Sequence, residues 1–587
     1  MSRAIACRVA VVVLALVAHG ASLRSGFVYD DVRFVLNNAA LAERTAGELL
    51  LDASTHTTDR DRDVYRPLRA LAHRFDARRW GDEPFGFHLH SLLLHALAAW
   101  LTLETIRRLL PEVAAGGACF AACLVATHPL GCEVVDWISS RGDLLGYAFG
   151  VVAWLGYARG GAAGTVVAGL AAGLAMLGKE SAVAVPLVAL AHRALVGRGS
   201  RSAILAMGAG VAVALVMRQI AVAGASPIQT VPHGGSFPAQ LGWALYGAGT
   251  TAWHVVWPVG LSVEYPQLDW ALAAPYGMPD VLRGWVRLPT LLALALLVAT
   301  WRARRTRPVL AFALAWAALA YLPSSSAIVT LRSLVNDRMA YPALAGAGVA
   351  AAALGWPRAP RVRATLAVLA IGACTLLSIG RAAVFADEAS LWTDVLRRAP
   401  RDVRAHLGLA RAAPTLEAQR RHLERAVEVA PAHTRLDAVA RTQLGDLLVH
   451  RLDEPEAAIP HLSVALAIGR RERAQGGPVA SHELAAVGAL ADALLLGGHV
   501  EQADAALATM IEAAPDVVAL HVKRALVWLA GARLGRVGTG EALERARSAA
   551  ARASALDADH PQVAALVELI EAQASEQPVE RSPPADG

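Results

Sequence analysis

The stretch GAAGTVVAGLAAGLAMLGKESAVAVPLVALAHRALVG, residues 161–197, decides the class of fold, because two apolar segments flank the short polar turn GKES. Each segment approaches the roughly 20 residues that a helix needs to cross a bilayer. Comparable apolar stretches recur at about 4–23, 86–106, 113–128, 143–157, 162–178, 181–197, 203–223, 288–301, 308–323, 339–356 and 362–384. The sequence therefore predicts an all-α, polytopic membrane helix bundle of about eleven spans.

Composition divides the chain in two. Of its 587 residues 55% are hydrophobic and only 18% charged, and the mean hydropathy is +0.41, which excludes a wholly soluble or disordered protein. Residues 384–587 carry 22 Lys and Arg against 28 Asp and Glu, whereas residues 1–383 carry 33 against 21. We predict a membrane domain over 1–383, a helical repeat domain over 384–575 and a disordered tail over 576–587. The basic residues belong to membrane loops, so the pI near 9.3 does not indicate nucleic acid.

The loops predict an orientation. When the spans alternate, the arginine-rich loops, such as RARRTR at 302–307, all fall on one side, which is the cytoplasmic side by the positive-inside rule. This orientation requires that the amphipathic stretch 237–263 lies at the membrane interface and does not fully cross the membrane. The C-terminal domain then faces outward. The segment 4–23 reads alternatively as a cleaved signal peptide, which leaves the remaining topology unchanged.

The C-terminal part shows Ala and Leu at three- and four-residue spacing, which is typical of paired helices. His406-Leu407-Gly408 and Gln443-Leu444-Gly445 occupy the small-residue position of a first helix, and Pro515 and Pro561 are expected to close later units. We predict three to five degenerate repeats of the tetratricopeptide (TPR) type, stacked into an α-solenoid that binds extended peptide. The alternative is an irregular helical bundle.

Two adjacent carboxylates, Asp30 and Asp31, follow the first apolar stretch. Adjacent like charges tend to raise one pKa, and a carboxylate near the membrane surface is suited to accept the proton of an attacking hydroxyl. Both are therefore candidate catalytic residues. The alternative is a helix cap or a solvated turn.

Other ionisable residues of the predicted outward loops form a second set of candidates. Lys179, one of only two lysines, lies between two apolar stretches, where ionisable residues are functional candidates by default. A guanidinium suits phosphate, so Arg141 and Arg338 join Lys179 as candidate phosphate ligands. The alternatives are a snorkelling lysine, an ion-paired loop and a helix anchor. The other candidate pocket residues are Arg66, His128, Glu133, Asp143 and Glu180.

The sequence contains no nucleotide-binding motif, and this bears on the kind of sugar donor. No Gly-rich loop of the nucleotide-binding type follows a strand-like segment, and the glycines lie in apolar helices. A lipid-linked donor, whose headgroup lies at the outer membrane face, fits the charged outward loops better than a nucleotide sugar. No His, Cys or carboxylate spacing is diagnostic of a metal site.

Six motifs together carry a resemblance to a known family. They are FVYDD at 27–31, VYRPLRAL at 64–71, PFGFHLHSLLLHAL at 84–97, HPLGCEVVDWISSRGDLL at 128–145, GKESAVAVPL at 178–187 and NDRMAYPAL at 336–344. In order and spacing they resemble the membrane core of the transmembrane, tetratricopeptide-repeat (TMTC-like) O-mannosyltransferases and their bacterial relatives. The resemblance spans about 27–344 and continues into the repeats.

This resemblance implies a membrane glycosyltransferase of the GT-C type that takes a sugar from a polyprenyl or dolichyl phosphate and inverts its anomeric carbon. Asp30 or Asp31 would deprotonate the acceptor hydroxyl while the other orients it. Arg141, Lys179 and Arg338 would hold the lipid phosphate, and the resemblance implies that no divalent metal or other cofactor is needed. His128 and Glu133 would line the pocket. The chain departs from the family pattern at Tyr29, near Cys132, and at Met339 and Ala340, which concerns the identity of the sugar.

The sequence thus predicts a hexosyltransferase that moves a sugar, mannose by resemblance, from polyprenyl phosphate to Ser or Thr hydroxyls of exported proteins gathered by the repeats. Its Arg, Ala and Gly usage suggests a GC-rich bacterial genome, so we expect the inner (cytoplasmic) membrane, with active site and repeats on the periplasmic side. The alternative is a non-catalytic, membrane-anchored TPR scaffold for periplasmic assembly. A transporter is a third possibility, but the polar residues cluster at one face instead of near the midplane.

Overall fold

A computed structural model describes residues 3–56, 64–222, 232–265, 287–331, 333–354, 359–474 and 476–575. The described residues form helices and turns and contain no strand. The chain separates into two compact units, Met1–Pro400 and Arg401–Gly587. The predicted tail, 576–587, and the charged stretch DRDRD, 59–63, lie outside the described residues.

The first unit is a bundle of apolar helices with two structured loops. Its helices are α1 (Arg3–His19), α2 (Ala40–Glu43), α3 (Ala46–Leu51), α4 (Pro67–Trp80), α5 (Pro84–Leu109), α6 (Ala115–Thr127), α7 (Cys132–Val135), α8 (Arg141–Arg159), α9 (Gly161–Gly178), α10 (Ala184–Val196), α11 (Arg201–Ala221), α12 (Phe237–Val256), α13 (Arg287–Thr306), α14 (Pro308–Tyr321), α15 (Leu344–Ala353), α16 (Pro360–Ala382) and α17 (Glu388–Arg398). We call residues 20–83 the first loop and residues 128–140 the second loop.

Each predicted apolar stretch forms a helix or a short helix pair, which confirms the all-α membrane bundle. Among the described residues five helical segments are long and apolar enough to cross a membrane unaided: Ala4–Arg24, Pro84–Leu109, Gly161–Gly178, Arg201–Ala221 and Pro360–Phe385. A sixth results if Ala115–Thr127 and Pro129–Val135, bent by 47°, count as one broken span. Large apolar side chains such as Leu205, Val368 and Leu376 stay mostly exposed on the bundle surface, as expected of residues that face lipid.

Small residues let α8 and α9 pack backbone to backbone. Gly160 and Gly161 reverse the chain between them with φ of 65° and 66°, a conformation that favours glycine. At Gly156 a Cβ atom would lie 2.7 Å from the carbonyl oxygen of Gly164 and 2.8 Å from the backbone nitrogen of Ala168. Such close approach through small residues is typical of membrane helix pairs. It brings the start of α8 and the end of α9, where candidate site residues lie, together.

Between residues 401 and 575, as far as the structure describes them, the second unit consists of four helix pairs and a closing helix. The helices are α18 (Val403–Ala412), α19 (Leu416–Val429), α20 (Arg435–His450), α21 (Pro455–Ala474), α22 (Ser481–Leu496), α23 (Val500–Ala513), α24 (Val518–Arg533), α25 (Thr539–Leu556) and α26 (Pro561–Ser575). The first helices α18, α20, α22, α24 and α26 contact one another in series, as in a solenoid. The side chains of Asp402, Thr415 and Thr434 cap α18, α19 and α20.

In the second unit a small residue allows two helices to pack closely, and a proline begins a helix. Gly445 on α20 leaves room for Leu462 of α21, since a Cβ there would lie 2.5 Å from the leucine side chain. Pro561 does not close a repeat, as the sequence suggested, but begins α26. A proline fits the first turn of a helix because its missing N–H has no partner there in any case.

The boundary between the units also differs from the sequence estimate. The acidic composition begins near residue 384, but the first compact unit continues to Pro400 and includes α17. The reason is local contact: α17 packs on the turn Ala383–Phe385 that follows α16, Asp394 of α17 pairs with Arg381 of α16, and Glu388 hydrogen-bonds to the first loop.

Packing of α8 on α9 gives a first prediction. Gly156→Ala forces a methyl group against the α9 backbone and should lower the free energy of unfolding by about 1–3 kcal/mol. Thermal unfolding of the detergent-purified protein measures the effect. Gly208→Ala on α11, where a Cβ meets nothing within 4 Å, is the matched control; an equal loss of stability in both variants would contradict the close α8–α9 contact.

Candidate active site

Asp31 is a fully buried carboxylate that ties the first loop to the second. Its Oδ2 accepts the backbone N–H of Val28 at 3.0 Å, and its Oδ1 accepts the backbone N–H of Ser139 at 2.8 Å as well as the Ser139 hydroxyl. Burial raises the pKa of Asp31 to about 7, although these hydrogen bonds act in the opposite direction. A pKa near neutrality suits a general base, but geometry takes precedence. Both oxygens are already engaged and closed to solvent, so Asp31 is an anchor.

Asp30 is the accessible carboxylate of the pair. A quarter of its side chain is exposed, and its Oδ1 lies 3.2 Å from Nε of Arg33. Its carbonyl oxygen accepts the backbone N–H groups of Arg33 and Phe34 and so starts the helical turn Val32–Leu36. Asp30 therefore lies on a backbone that is fixed on both sides, and its carboxylate pairs with Arg33 while a quarter of the side chain stays accessible to a substrate.

Three cations form a cluster, and each faces a carboxylate. Lys179 Nζ donates to Asp143 Oδ2 at 3.0 Å, Arg66 Nε lies 3.1 Å from Glu180 Oε2, and Arg338 pairs with Glu133. All three cations remain partly exposed, between 15 and 23% of the side chain. Arg338 also lies over the ring of Trp137, 5.1 Å from its centre. A cluster of this kind binds an oxyanion by charge-assisted hydrogen bonds.

The charges of the cluster depend on one another. Burial and the charge of Arg66 lower the pKa of Lys179 to about 8. Burial acts to raise the pKa of Glu180, but Arg66 and Lys179 outweigh it, and the pKa falls to about 2. Glu180 is therefore ionised throughout the neutral range, whereas Lys179 loses its proton in mildly alkaline solution.

Asp30 lies within electrostatic reach of this cluster. Burial acts to lower the pKa of Arg338, but the negative charges of Glu133, Asp143 and Asp30 raise it. The candidate base and the candidate phosphate ligands thus belong to one site, although they come from the first loop, the α9–α10 turn and the segment before α15.

Two other candidates are occupied by internal partners. Arg141 is buried, pairs with Asp76, donates to the carbonyl oxygen of Phe87, and donates to the hydroxyl of Ser91 at 3.2 Å. His128 is buried as well; its Nδ1 accepts the backbone N–H of Leu130 at 3.2 Å. These contacts hold the second loop in place and leave no group directed at a ligand.

A small cleft lies beside Asp143, the carboxylate that pairs with Lys179. It follows one face of α8 and is lined there by Asp143, Gly146, Tyr147, Gly150 and Trp154, with Val185, Ala320 and Pro342 among the residues opposite. At 1.5 Å per residue the α8 face from Asp143 to Trp154 is about 16 Å long. The cleft is charged at the Asp143 end and apolar beyond it, which suits an amphipathic ligand with an anionic head.

Several residues of the site were not among the sequence candidates. Ser139 holds Asp31, and Glu264 accepts the Tyr29 hydroxyl at 3.0 Å. Glu388 of α17 accepts the backbone N–H of Tyr29 at 2.6 Å. Ser139 lies inside a recognised motif, HPLGCEVVDWISSRGDLL, so its position offered a signal. Glu264 and Glu388 lie outside every motif, and only the folded chain brings them to the first loop.

One buried group of side chains is close enough to hold a cation. His19, Cys132 and Asp136 place one ligand atom each within 4.8 Å of one another. His19 Nδ1 contacts both carboxylate oxygens of Asp136 at 3.1 Å, and the Cys132 thiol donates to the carbonyl oxygen of Ser378 at 3.5 Å. These hydrogen bonds account for the grouping, which joins the end of α1 to the second loop.

Comparison with known proteins places this geometry in context. No family model matches the chain. Over 156 residues the chain is 33% identical to protein O-mannosyl-transferase Tmtc1 of Drosophila melanogaster, an alignment that covers 25% of this chain and 17% of that protein. It is 34% identical over 157 residues to Tmtc2 of the same organism (25% and 16% covered) and 32% identical over 152 residues to TMTC1 of Mus musculus (24% and 15% covered). The matched region is less than a fifth of these relatives' length.

Among solved structures the chain is similar to ArnT from Cupriavidus metallidurans bound to undecaprenyl phosphate. The identity is 14%, the TM-score is 0.36, and the likeness covers 87% of this chain and 80% of ArnT. It is a distant likeness.

The chain is an all-α, multi-pass membrane protein. Its predicted resemblance to the TMTC-like O-mannosyltransferases is confirmed by the curated relatives, whose names also agree with the predicted class of enzyme, a membrane glycosyltransferase.

The different environments of the two aspartates give a second prediction. Asp31→Asn leaves one oxygen and places an N–H₂ group against the donors either from Val28 or from Ser139, which should cost about 1–3 kcal/mol of stability. Asp30→Asn, at a partly exposed side chain, should change the free energy of unfolding by about 0.5 kcal/mol or less. Thermal unfolding of both purified variants measures the difference in stability. Equal stability of Asp31→Asn and Asp30→Asn would contradict the anchoring contact of Asp31.

Proposed function

We propose that the chain is an inverting glycosyltransferase that moves a sugar, mannose by likeness to the curated relatives, from polyprenyl phosphate to Ser or Thr hydroxyls of exported proteins. One observation carries the proposal: a partly exposed carboxylate, Asp30, shares one electrostatic environment with a cationic cluster at the mouth of an apolar cleft. In this proposal the base lies next to the anion site, and the cleft marks where the lipid would approach.

The anion site fits the phosphate of a lipid-linked donor. Lys179 and Arg338 present an ammonium and a guanidinium, and both keep part of their side chains exposed. The cleft along α8 has mostly apolar walls beyond Asp143, but it is too small for an isoprene unit, so the proposal requires that it widens when the lipid binds. Arg141 is left out of this role because Asp76 occupies its guanidinium.

The reaction needs one proton acceptor and one stabilised leaving group. The acceptor oxygen attacks the anomeric carbon from the face opposite the phosphate, and its proton passes to Asp30. As the new C–O bond forms, the bond from the anomeric carbon to the phosphate oxygen breaks, and its electron pair stays on the phosphate. Lys179 and Arg338 stabilise that added charge. Inversion follows from the single displacement.

In the proposed reaction no divalent metal ion is needed. The carboxylates beside the phosphate site, Asp143, Glu133 and Glu180, each face a cation of the cluster, so charge compensation by Lys and Arg takes the place of a divalent ion. Transfer should therefore be insensitive to EDTA.

We place the site and the repeats on the periplasmic side of a bacterial inner membrane, with the solenoid gathering acceptor polypeptides.

A third prediction tests the base. Asp30→Asn should lower transfer by about 10²- to 10⁴-fold while the protein remains folded and membrane-inserted. The measurement is glycan-aware mass spectrometry of exported proteins from cells with the intact protein, no protein, or the Asp30→Asn variant at equal expression. Asp82→Asn, at an exposed aspartate of the same loop, is the control and should leave the glycopeptides unchanged.

The same strains separate the enzyme from the scaffold. Sugar on Ser or Thr that disappears in both the deletion and the Asp30→Asn strain supports the transferase. Rescue of a deletion phenotype by Asp30→Asn, with no glycopeptide change, would instead favour a membrane-anchored scaffold and contradict the proposal.

A fourth prediction uses the lowered pKa of Lys179. Below pH 8 the ammonium is charged and binds phosphate; above pH 8 the proton is lost, so kcat/KM for polyprenyl-phosphate sugar should fall, approaching tenfold per pH unit. If Lys179→Arg retains activity, it should remove this alkaline limb, that is, the fall of kcat/KM above pH 8, because a guanidinium stays charged. Lys523→Arg, at the other lysine, should keep the limb; a limb that survives Lys179→Arg would exclude Lys179 as its source.

A further inference from the structure

The residue before the candidate base has an unusual backbone conformation. Tyr29 has φ of 54°, in the left-handed region that non-glycine residues rarely adopt. The φ and ψ of Tyr29 set the direction of the next peptide and hence the direction in which Asp30 leaves the chain. A left-handed tyrosine costs free energy, so neighbouring groups must hold it there.

Glu388, the first residue of α17, supplies the strongest of these contacts. Its Oε2 accepts the backbone N–H of Tyr29 at 2.6 Å, and its Oε1 accepts the indole N–H of Trp392, one turn along α17, at 2.7 Å. The carboxylate is therefore fixed from both sides. A bond from a backbone N–H to an ionised carboxylate is stronger than one to a neutral acceptor.

Two further contacts join the same two segments. The backbone N–H of Gly26 donates to the carbonyl oxygen of Ala386 at 2.8 Å. The Tyr29 ring meets the edge of fully buried Trp392, with ring centres 4.9 Å apart, and stacks on Trp137 of the second loop at 5.6 Å. Residues 26–29 are thus held against residues 386–392 by backbone, carboxylate and ring contacts.

We propose that Glu388 is a positioning residue: by holding the Tyr29 N–H it keeps Tyr29 left-handed and directs the Asp30 carboxylate toward the acceptor hydroxyl. This inference rests on the proposed function, since it assigns Asp30 the role of base. Glu388 touches no substrate in it and acts only through Tyr29. Together with Asp31, which is held by Ser139, it fixes the backbone on both sides of Asp30.

The test compares Glu388→Gln with Arg397→Gln, an exposed charge on the same helix, in the full-length protein in nanodiscs. The amide that replaces the Glu388 carboxylate can offer an oxygen to only one of the two N–H groups, so the anchoring of Tyr29 weakens. Hydrogen exchange of the peptide covering residues 27–31 should become about tenfold faster, while exchange in the second unit stays the same. With polyprenyl-phosphate mannose as donor and a Ser/Thr peptide as acceptor, kcat should fall by about ten- to a hundredfold.

Donor binding separates positioning from general damage. The Kd for polyprenyl phosphate should stay within about twofold, because Lys179 and Arg338 are held by their ion pairs with Asp143 and Glu133 and make no direct contact with Glu388. Unchanged exchange at 27–31 would overturn the anchoring role, and faster exchange with unchanged kcat would overturn the positioning role. An intact protein that transfers no sugar would refute the proposed function itself, and that result is distinguishable because the exchange measurement does not require turnover.

Discussion

The hydrogen-bonded carboxylate of Asp31 is the contact on which the site depends. A buried carboxylate is costly unless its oxygens are satisfied, and Asp31 meets this requirement by joining its own loop at Val28 to the second loop at Ser139. The first loop, which carries Asp30 and Arg66, and the second loop, which carries Glu133, therefore cannot move independently. The adjacent Asp30 gains a fixed backbone from this contact and keeps its own carboxylate available.

The need to satisfy buried charges also explains the ion pairs of the site. Lys179, Arg338 and Arg66 each face a carboxylate, so no cation of the cluster is left unpaired where water is scarce. The pairs remain partly open to solvent, which distinguishes them from the closed pair of Arg141 and Asp76. In the proposed function a phosphate shares the donors of the open pairs, whereas the closed pair holds α8 against α4.

The sequence predicted the membrane helices well because apolar stretches of sufficient length have few alternatives in a bilayer. It also identified the acidic pair and the cluster, since ionisable residues stand out in an apolar chain. It could not distinguish Asp30 from Asp31, because that difference comes from Ser139, which lies 108 residues further along. Nor could it find Glu388, which belongs by composition to the acidic second half but by contact to the first unit.

The contact between Gly26 and Ala386 has a consequence for how the protein is made. Chains enter the membrane from the N-terminus during synthesis, so the acidic pair emerges hundreds of residues before α17 exists. Until the ribosome has passed Trp392 and the last apolar helix has inserted, Tyr29 lacks the partners that hold its conformation. A chain that ends before α17 would carry every recognised motif of the membrane core and still lack the contacts that hold Tyr29, so the candidate site is assembled only when the membrane unit is complete.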